Sequence, residues 1–114
     1  MQYVNLGASG LQISRLGLGA MGFGDPAWRS WVLREDSAQR IFDRAIEHGI
    51  NFFDTCNYYS GGESERLLGR LIRNARVARE SIVVATKFGM PMGDHANARG
   101  YSRKNIFAAV DESL

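Results

Sequence analysis

A parallel α/β fold is predicted by two features of the sequence. Beyond residue 15, short apolar runs alternate with stretches whose apolar residues recur at helical spacing, in the order strand, helix, strand, helix, strand, helix. The run Ile82-Val83-Val84-Ala85-Thr86 is nearly continuous in apolar and β-branched side chains, the pattern of a parallel strand covered on both faces. Such alternation implies right-handed crossovers and a parallel sheet. An open doubly wound sheet and a closed barrel satisfy it equally, and periodicity does not choose between them.

Ahead of this alternation, Tyr3 to Leu6 and Leu11 to Ile13 read as two short strands joined by Gly7-Ala8-Ser9-Gly10, so residues 1–14 are expected to form a hairpin. Arg15 to Met21 reads as the first strand of the alternating region, with Gly17 and Gly19 allowing close approach of backbone or ligand. Gly22 to Arg34 has no clear period and reads as a loop. The first helix is expected to start at a cap on Asp36 or Ser37, to bury Ala38, Ile41, Phe42, Ala45 and Ile46, and to stop at Gly49. Ile50 to Asp54 is the next strand. A glycine-rich loop then leads to a helix from about Glu63 to Asn74 with Leu67, Leu68, Leu71 and Ile72 on its apolar stripe. After the strand at 82–86, a polar loop from Gly89 to Tyr101 precedes a helix capped by Ser102 and carrying Ile106, Phe107, Val110 and Leu114.

The 114 residues are 45% hydrophobic and 23% charged, which fits one globular domain and excludes disordered and fibrous classes. Net charge is only +2 and the charges are dispersed, so no block suggests a nucleic-acid or membrane partner. No apolar run approaches the ~18 residues of a membrane helix, and the N-terminus lacks the pattern of an export signal. A single cysteine, Cys56, cannot form an internal disulfide, and no paired Cys and His pattern suggests a metal. A reducing cytoplasm is the expected compartment.

Three polar residues fall at or beyond strand ends, the rim where parallel α/β folds build their sites: Asp54, Tyr59 and Lys87. Strand alternation puts Ile50, Phe52 and Asp54 on one face, and Val83, Ala85 and Lys87 on one face of the following strand. If these strands are neighbours, Asp54 can meet Lys87, and Tyr59 lies far enough along the loop to fold its hydroxyl over them. A tyrosine hydroxyl, with an ordinary pKa of about 10, gives up a proton poorly unless a cation stabilises the phenolate. Lys87 would be that cation, and Asp54 would keep it charged. Tyr59 could then protonate a carbonyl oxygen while a reduced nicotinamide delivers hydride to the carbon.

The segment Gly49-Ile50-Asn51-Phe52-Phe53-Asp54-Thr55-Cys56-Asn57-Tyr58-Tyr59, followed by Gly61, Gly62, Glu63, Ser64, Glu65 and Gly69, resembles the signature of the aldo-keto reductases around their catalytic Asp and Tyr. Val84-Ala85-Thr86-Lys87 resembles the strand that delivers their catalytic lysine, and the hairpin, first strand and Ser102–Leu114 helix are similar to theirs in order. The resemblance implies the N-terminal part of a (β/α)₈ TIM barrel, about three of eight units, with the hairpin at its bottom. It implies NADPH (NADP+) as cofactor and a small carbonyl compound as substrate. By position it makes Tyr59 the proton donor, Lys87 its activator and Asp54 the holder of Lys87, with Met21 and Asp54 at the nicotinamide end of the cofactor. The family's catalytic His after its fourth strand and its main phosphate contacts have no counterpart within these residues, so the remainder of a barrel is an expected partner.

Other residues read as structural. His48 sits where a cation complements a helix C-terminus, and His95 lies in the loop after the third strand. Cys56 reads as inert packing. Trp28 and Trp31 either wall a substrate pocket or cover the barrel edge. Gly17-Leu18-Gly19 lacks the third glycine and helix start of a dinucleotide fingerprint. Two rival functions stay open: a non-catalytic or regulatory member of the same family, and an aldolase using Lys87 as a Schiff-base nucleophile.

Overall fold

The computed structural model describes residues 1–114 and contains two sheets and three α-helices. An antiparallel hairpin, β1 (Tyr3–Asn5) and β2 (Gln12–Ser14), is followed by β3 (Leu18–Gly19), α1 (Glu35–Glu47), β4 (Phe52–Asp54), α2 (Glu63–Asn74), β5 (Val83–Ala85) and α3 (Arg103–Ser113). Strands β3, β4 and β5 form a parallel sheet in that order, with Leu18 opposite Phe53 and Phe53 opposite Val84. The fold class expected from the alternation is therefore present: a hairpin and three βα units of a parallel α/β architecture.

The strand period of two divides the sheet into faces with different fates. Leu18, Phe53 and Val84 share one register row and point toward α1 and α2, where Phe53 and Phe42 are wholly buried with ring centres 4.8 Å apart. Ala20, Phe23, Ala38, Ala45, Leu67, Leu68, Leu71 and Ile82 complete this core. Fully burying one of the leucine or phenylalanine side chains stabilises the fold by roughly 1.5–3 kcal/mol, so the helix face is where the segment gains its cohesion. The opposite face, carrying Gly17, Gly19, Phe52, Asp54 and Ala85, is more open. At its near end Gly17 leaves room for the Phe52 ring, which a Cβ there would meet at 2.9 Å.

Several expectations need correction. The 82–86 strand is not enclosed on both faces, since Val83, Val84 and Ala85 are all half-buried. Helix α1 starts two or three residues earlier than expected: Arg34 is the N-cap and bonds through no side chain, while Asp36 lies in the first turn, where its charge meets the dipole directly. Gly49 does end the helix, at φ +77°. The stretch from Gly22 to Arg34 is a loop, as expected, but a packed one, with Phe23 and Val32 buried and Phe23 bridged to Leu33. Ser102 caps α3 as expected, its hydroxyl accepting from the Asn105 N–H at 3.1 Å, but Ile106, Phe107, Val110 and Leu114 are exposed and only Ala109 is buried.

The hairpin attaches at the N-terminal end of the parallel strands. The Tyr3 hydroxyl donates to the Gly49 carbonyl at 2.9 Å, and Asn51, just ahead of β4, accepts from the Ser14 N–H at 2.7 Å and donates to the Gln12 carbonyl at 3.2 Å. The Ser14 hydroxyl in turn accepts from the Asn51 N–H at 3.1 Å. Because Ser14 is almost completely buried, Asn51→Ala leaves its N–H without a partner. We expect a loss of about 1–3 kcal/mol in unfolding free energy, measured by urea denaturation; an unchanged midpoint would mean that the hairpin is held in some other way.

Candidate active site

The opposite, C-terminal ends of β3, β4 and β5 carry the polar residues. Asp54 closes β4 and sits opposite Gly19 and Ala85, two residues without bulk. Lys87 follows β5 by two residues and so returns to the same face. Its ammonium donates to Asp54 Oδ2 at 2.7 Å and to the Thr55 carbonyl at 2.7 Å, and it lies 4.9 Å from the centre of the Tyr59 ring. The three residues singled out in the sequence thus come together at one rim.

The backbone around this cluster is tied strand to strand. Ala20 N–H donates to the Asp54 carbonyl at 2.7 Å, Thr55 N–H to the Ala85 carbonyl at 2.9 Å, and Asn57 N–H to the Lys87 carbonyl at 3.2 Å. A buried hydroxyl relay adds to these. Ser64, in the first turn of α2, donates to the Ala20 carbonyl at 2.7 Å, which leaves its oxygen to accept from the Thr55 hydroxyl at 2.9 Å. The ends of β3 and β4 are thereby fixed to α2. The Cys56 thiol is buried and donates to the Lys87 carbonyl at 3.4 Å, consistent with packing rather than reactivity.

Electrostatics at the rim favour a charged lysine. Partial burial works against the Lys87 cation, but its hydrogen bond to Asp54 and its interaction with the Tyr59 hydroxyl outweigh that cost, and its pKa is raised above the ordinary lysine value. Both side chains of the pair keep close to half their surface in contact with solvent, 46% for Lys87 and 41% for Asp54.

Tyr59 begins a 3₁₀ turn, Tyr59–Gly62, that no sequence pattern announced. Above it stand the aromatic side chains of the 22–34 segment: the Trp28 ring lies 6.1 Å from Tyr58 and 6.3 Å from Tyr59, with Trp31 edge-on to Trp28 at 6.1 Å. Met21 follows β3 and is exposed at the same rim. His48 lies at the end of α1 and His95 in the long loop before α3, and neither is a partner of the Lys87 ammonium, whose acceptors are Asp54 and the Thr55 carbonyl. Thr55 and Ser64 stand in the signature-like segment, but their bond to each other and to the Ala20 carbonyl was not foreseen, nor was the contact of Trp28 with the tyrosines.

A family model described as the aldo/keto reductase family matches residues 15–114. Versiconal hemiacetal acetate reductase of Aspergillus parasiticus is 36% identical over 131 residues, covering 100% of this chain and 38% of its own length. Aldo-keto reductase AMT2 of Alternaria alternata is 36% identical over 135 residues, covering 98% of this chain and 37% of its own length. Among solved structures, a thermostable aldo-keto reductase, Tm1743, in complex with the inhibitor epalrestat superposes with a TM-score of 0.73 at 27% identity, covering 100% of this chain and 38% of that one. The chain spans about 38% of the length of such relatives.

A raised lysine pKa has a defined consequence for stability. The contribution of the Lys87–Asp54 pair is complete below the ordinary lysine pKa of about 10 and is lost as pH rises through the higher folded value. The difference in unfolding free energy between the wild type and Asp54→Asn is therefore expected to stay constant from neutral pH to about pH 10 and to shrink above it. NMR titration of the Lys87 ammonium should give a midpoint above that of a free lysine side chain, falling in Asp54→Asn. Identical midpoints would show that the pair does not form in solution.

Proposed function

This chain belongs to the aldo/keto reductase family, and on that premise we propose that Tyr59, Lys87 and Asp54 serve the NADPH-dependent reduction of an aldehyde or ketone to the alcohol. The observation that carries this reading is the Lys87 ammonium held at 2.7 Å from Asp54 while lying against the ring of Tyr59. Tyr59 donates its hydroxyl proton to the carbonyl oxygen of the substrate as that oxygen gains charge. Lys87 stabilises the phenolate left behind, and Asp54 with the Thr55 carbonyl keeps the ammonium charged and aimed.

The rim is suited to a flat cofactor ring. Asp54 bonds Lys87 through Oδ2 alone, so Oδ1 is available as an acceptor. Gly19 beside it has nothing within 4 Å of where a Cβ would be, and Met21 is exposed at the end of the same strand. Met21 and Asp54 are the residues of this chain that would hold the nicotinamide end. A reduced nicotinamide, when bound, supplies the hydride that completes the reduction.

A Schiff-base aldolase is less well supported. Its lysine must lose its proton to attack a carbonyl, whereas Lys87 has a raised pKa and two acceptors on its ammonium. Borohydride trapping is therefore expected to leave no substrate adduct on Lys87. A non-catalytic member of the family would have no use for the phenol, and a single substitution separates that reading from ours. In the complete enzyme, with the remainder of the barrel present, Tyr59→Phe keeps the ring and removes the hydroxyl, so kcat for carbonyl reduction should fall by about 10²–10⁴ while NADPH affinity, followed by fluorescence quenching, is retained. Undiminished reduction would move the donor elsewhere, with Tyr58 the first alternative.

A further inference from the structure

The turn that presents Tyr59 contains three successive left-handed residues, Ser60 at φ 51° and ψ 35°, Gly61 at φ 61° and Gly62 at φ 90°. Glycines adopt this conformation freely, but a serine does so at a cost and keeps it only when its surroundings enforce it. Here they do so from the neighbouring segment. Gly24 is buried at φ +148°, and a Cβ built on it would lie 2.5 Å from Ser60 Oγ and 2.7 Å from Ser60 Cβ. The serine side chain therefore fills the space that Gly24 leaves. Its hydroxyl also accepts a long hydrogen bond, 3.4 Å, from the Asp25 N–H.

Asp25 connects that contact to the aromatic lid. Its carbonyl accepts from the Trp28 N–H at 3.0 Å and its Oδ1 from the Ala27 N–H at 2.9 Å, an Asp-Pro-Ala-Trp turn with Pro26 at the position where proline fixes φ. Trp28 then reaches back over Tyr58 and Tyr59. The loop from β3 to α1 thus grips the Tyr59 turn at two places, through Gly24 and Asp25 at Ser60, and through Trp28 at the tyrosine rings.

We propose that Ser60, seated against Gly24, is a positioning residue that sets the placement of the Tyr59 hydroxyl over Lys87. This rests on the reading of Tyr59 as proton donor. Ser60 touches no reacting atom. Its side chain locks the strained turn, so that Tyr59 meets the substrate oxygen without first having to be ordered, an advantage that appears in the chemical step rather than in cofactor binding.

The discriminating variant, made in the protein that carries the remainder of the barrel, is Ser60→Gly, which relieves the left-handed strain and removes the wedge. Expected are an unchanged or higher Tm, an unchanged Kd for NADPH, a KM within about twofold, and a kcat for aldehyde reduction lower by about tenfold, since misplacement of a reacting group by about an ångström costs up to ~10²-fold. Gly24→Ala pushes a methyl into Ser60 and should also lower kcat, and the double variant Gly24→Ala/Ser60→Gly should lose less than the product of the two single losses. Backbone strain at residue 24 is common to both arms of that cycle and cancels. A wild-type kcat in Ser60→Gly, losses that multiply, or a kcat that falls only together with Tm and NADPH affinity would each overturn the proposal. Tyr59→Phe, assayed alongside, separates the two ideas: if it retains reduction, the donor assignment has failed; if it is inactive while Ser60→Gly is not impaired, the positioning proposal alone has failed.

Discussion

The bond between the Lys87 ammonium and the Asp54 carboxylate is the point on which the candidate site depends. It joins adjacent parallel strands at the end where neither strand has another partner for its charge, and it requires three conditions at once. The strands must be neighbours, their register must bring the two residues to one level, and the side chains between them must be small enough to leave a path. The order β3-β4-β5, the pairing of Asp54 with Ala85, and the presence of Gly19 and Ala85 on either side meet all three.

The register is protected from both ends of β4. At its start, Asn51 exchanges hydrogen bonds with the hairpin; just beyond its end, Thr55 and Ser64 bind each other and the end of β3. A slip of one residue would turn Asp54 toward the helices and bring Phe53 out of the core. The cost of exposing Phe53, which is wholly buried against Phe42, therefore also holds Asp54 in place. Packing on one face and chemistry on the other are set by the same alternation.

That coupling explains what could be read from the sequence. Asp54 and Lys87 were legible because a period of two is rigid and both residues are close to strands whose apolar pattern is plain. The fold class was legible for the same reason, as was the termination of α1 at Gly49. The start of α1 was not, because Asp36 and Ser37 have the chemistry of a cap although the backbone turns earlier, at Arg34. Neither was the folded 22–34 segment: its order comes from a bridge, Phe23 to Leu33, and from Trp28 packing on tyrosines about thirty residues away, and no local period encodes such contacts. The left-handed Ser60 is the same kind of case, since serine carries no intrinsic preference for that conformation and its partner Gly24 is distant in sequence.

The exposure of the ion pair bears on what it is for. An ion pair with nearly half of each side chain in solvent contributes only ~0–1 kcal/mol to stability, so the cohesion of this segment cannot be its purpose; the core between the sheet and α1 and α2 supplies that. What the pair does is fix a positive charge at a chosen point. Lys87 is held by two acceptors rather than one, and the second is a main-chain carbonyl anchored in the strand ladder. As solvent is excluded from such a rim, the attraction between opposite charges strengthens, but the cost of keeping a cation dry rises as well. A lysine with a single flexible partner would escape that cost by losing its proton. One held by both a carboxylate and a fixed carbonyl can stay charged in drier surroundings, which is what the role proposed for the neighbouring phenol requires.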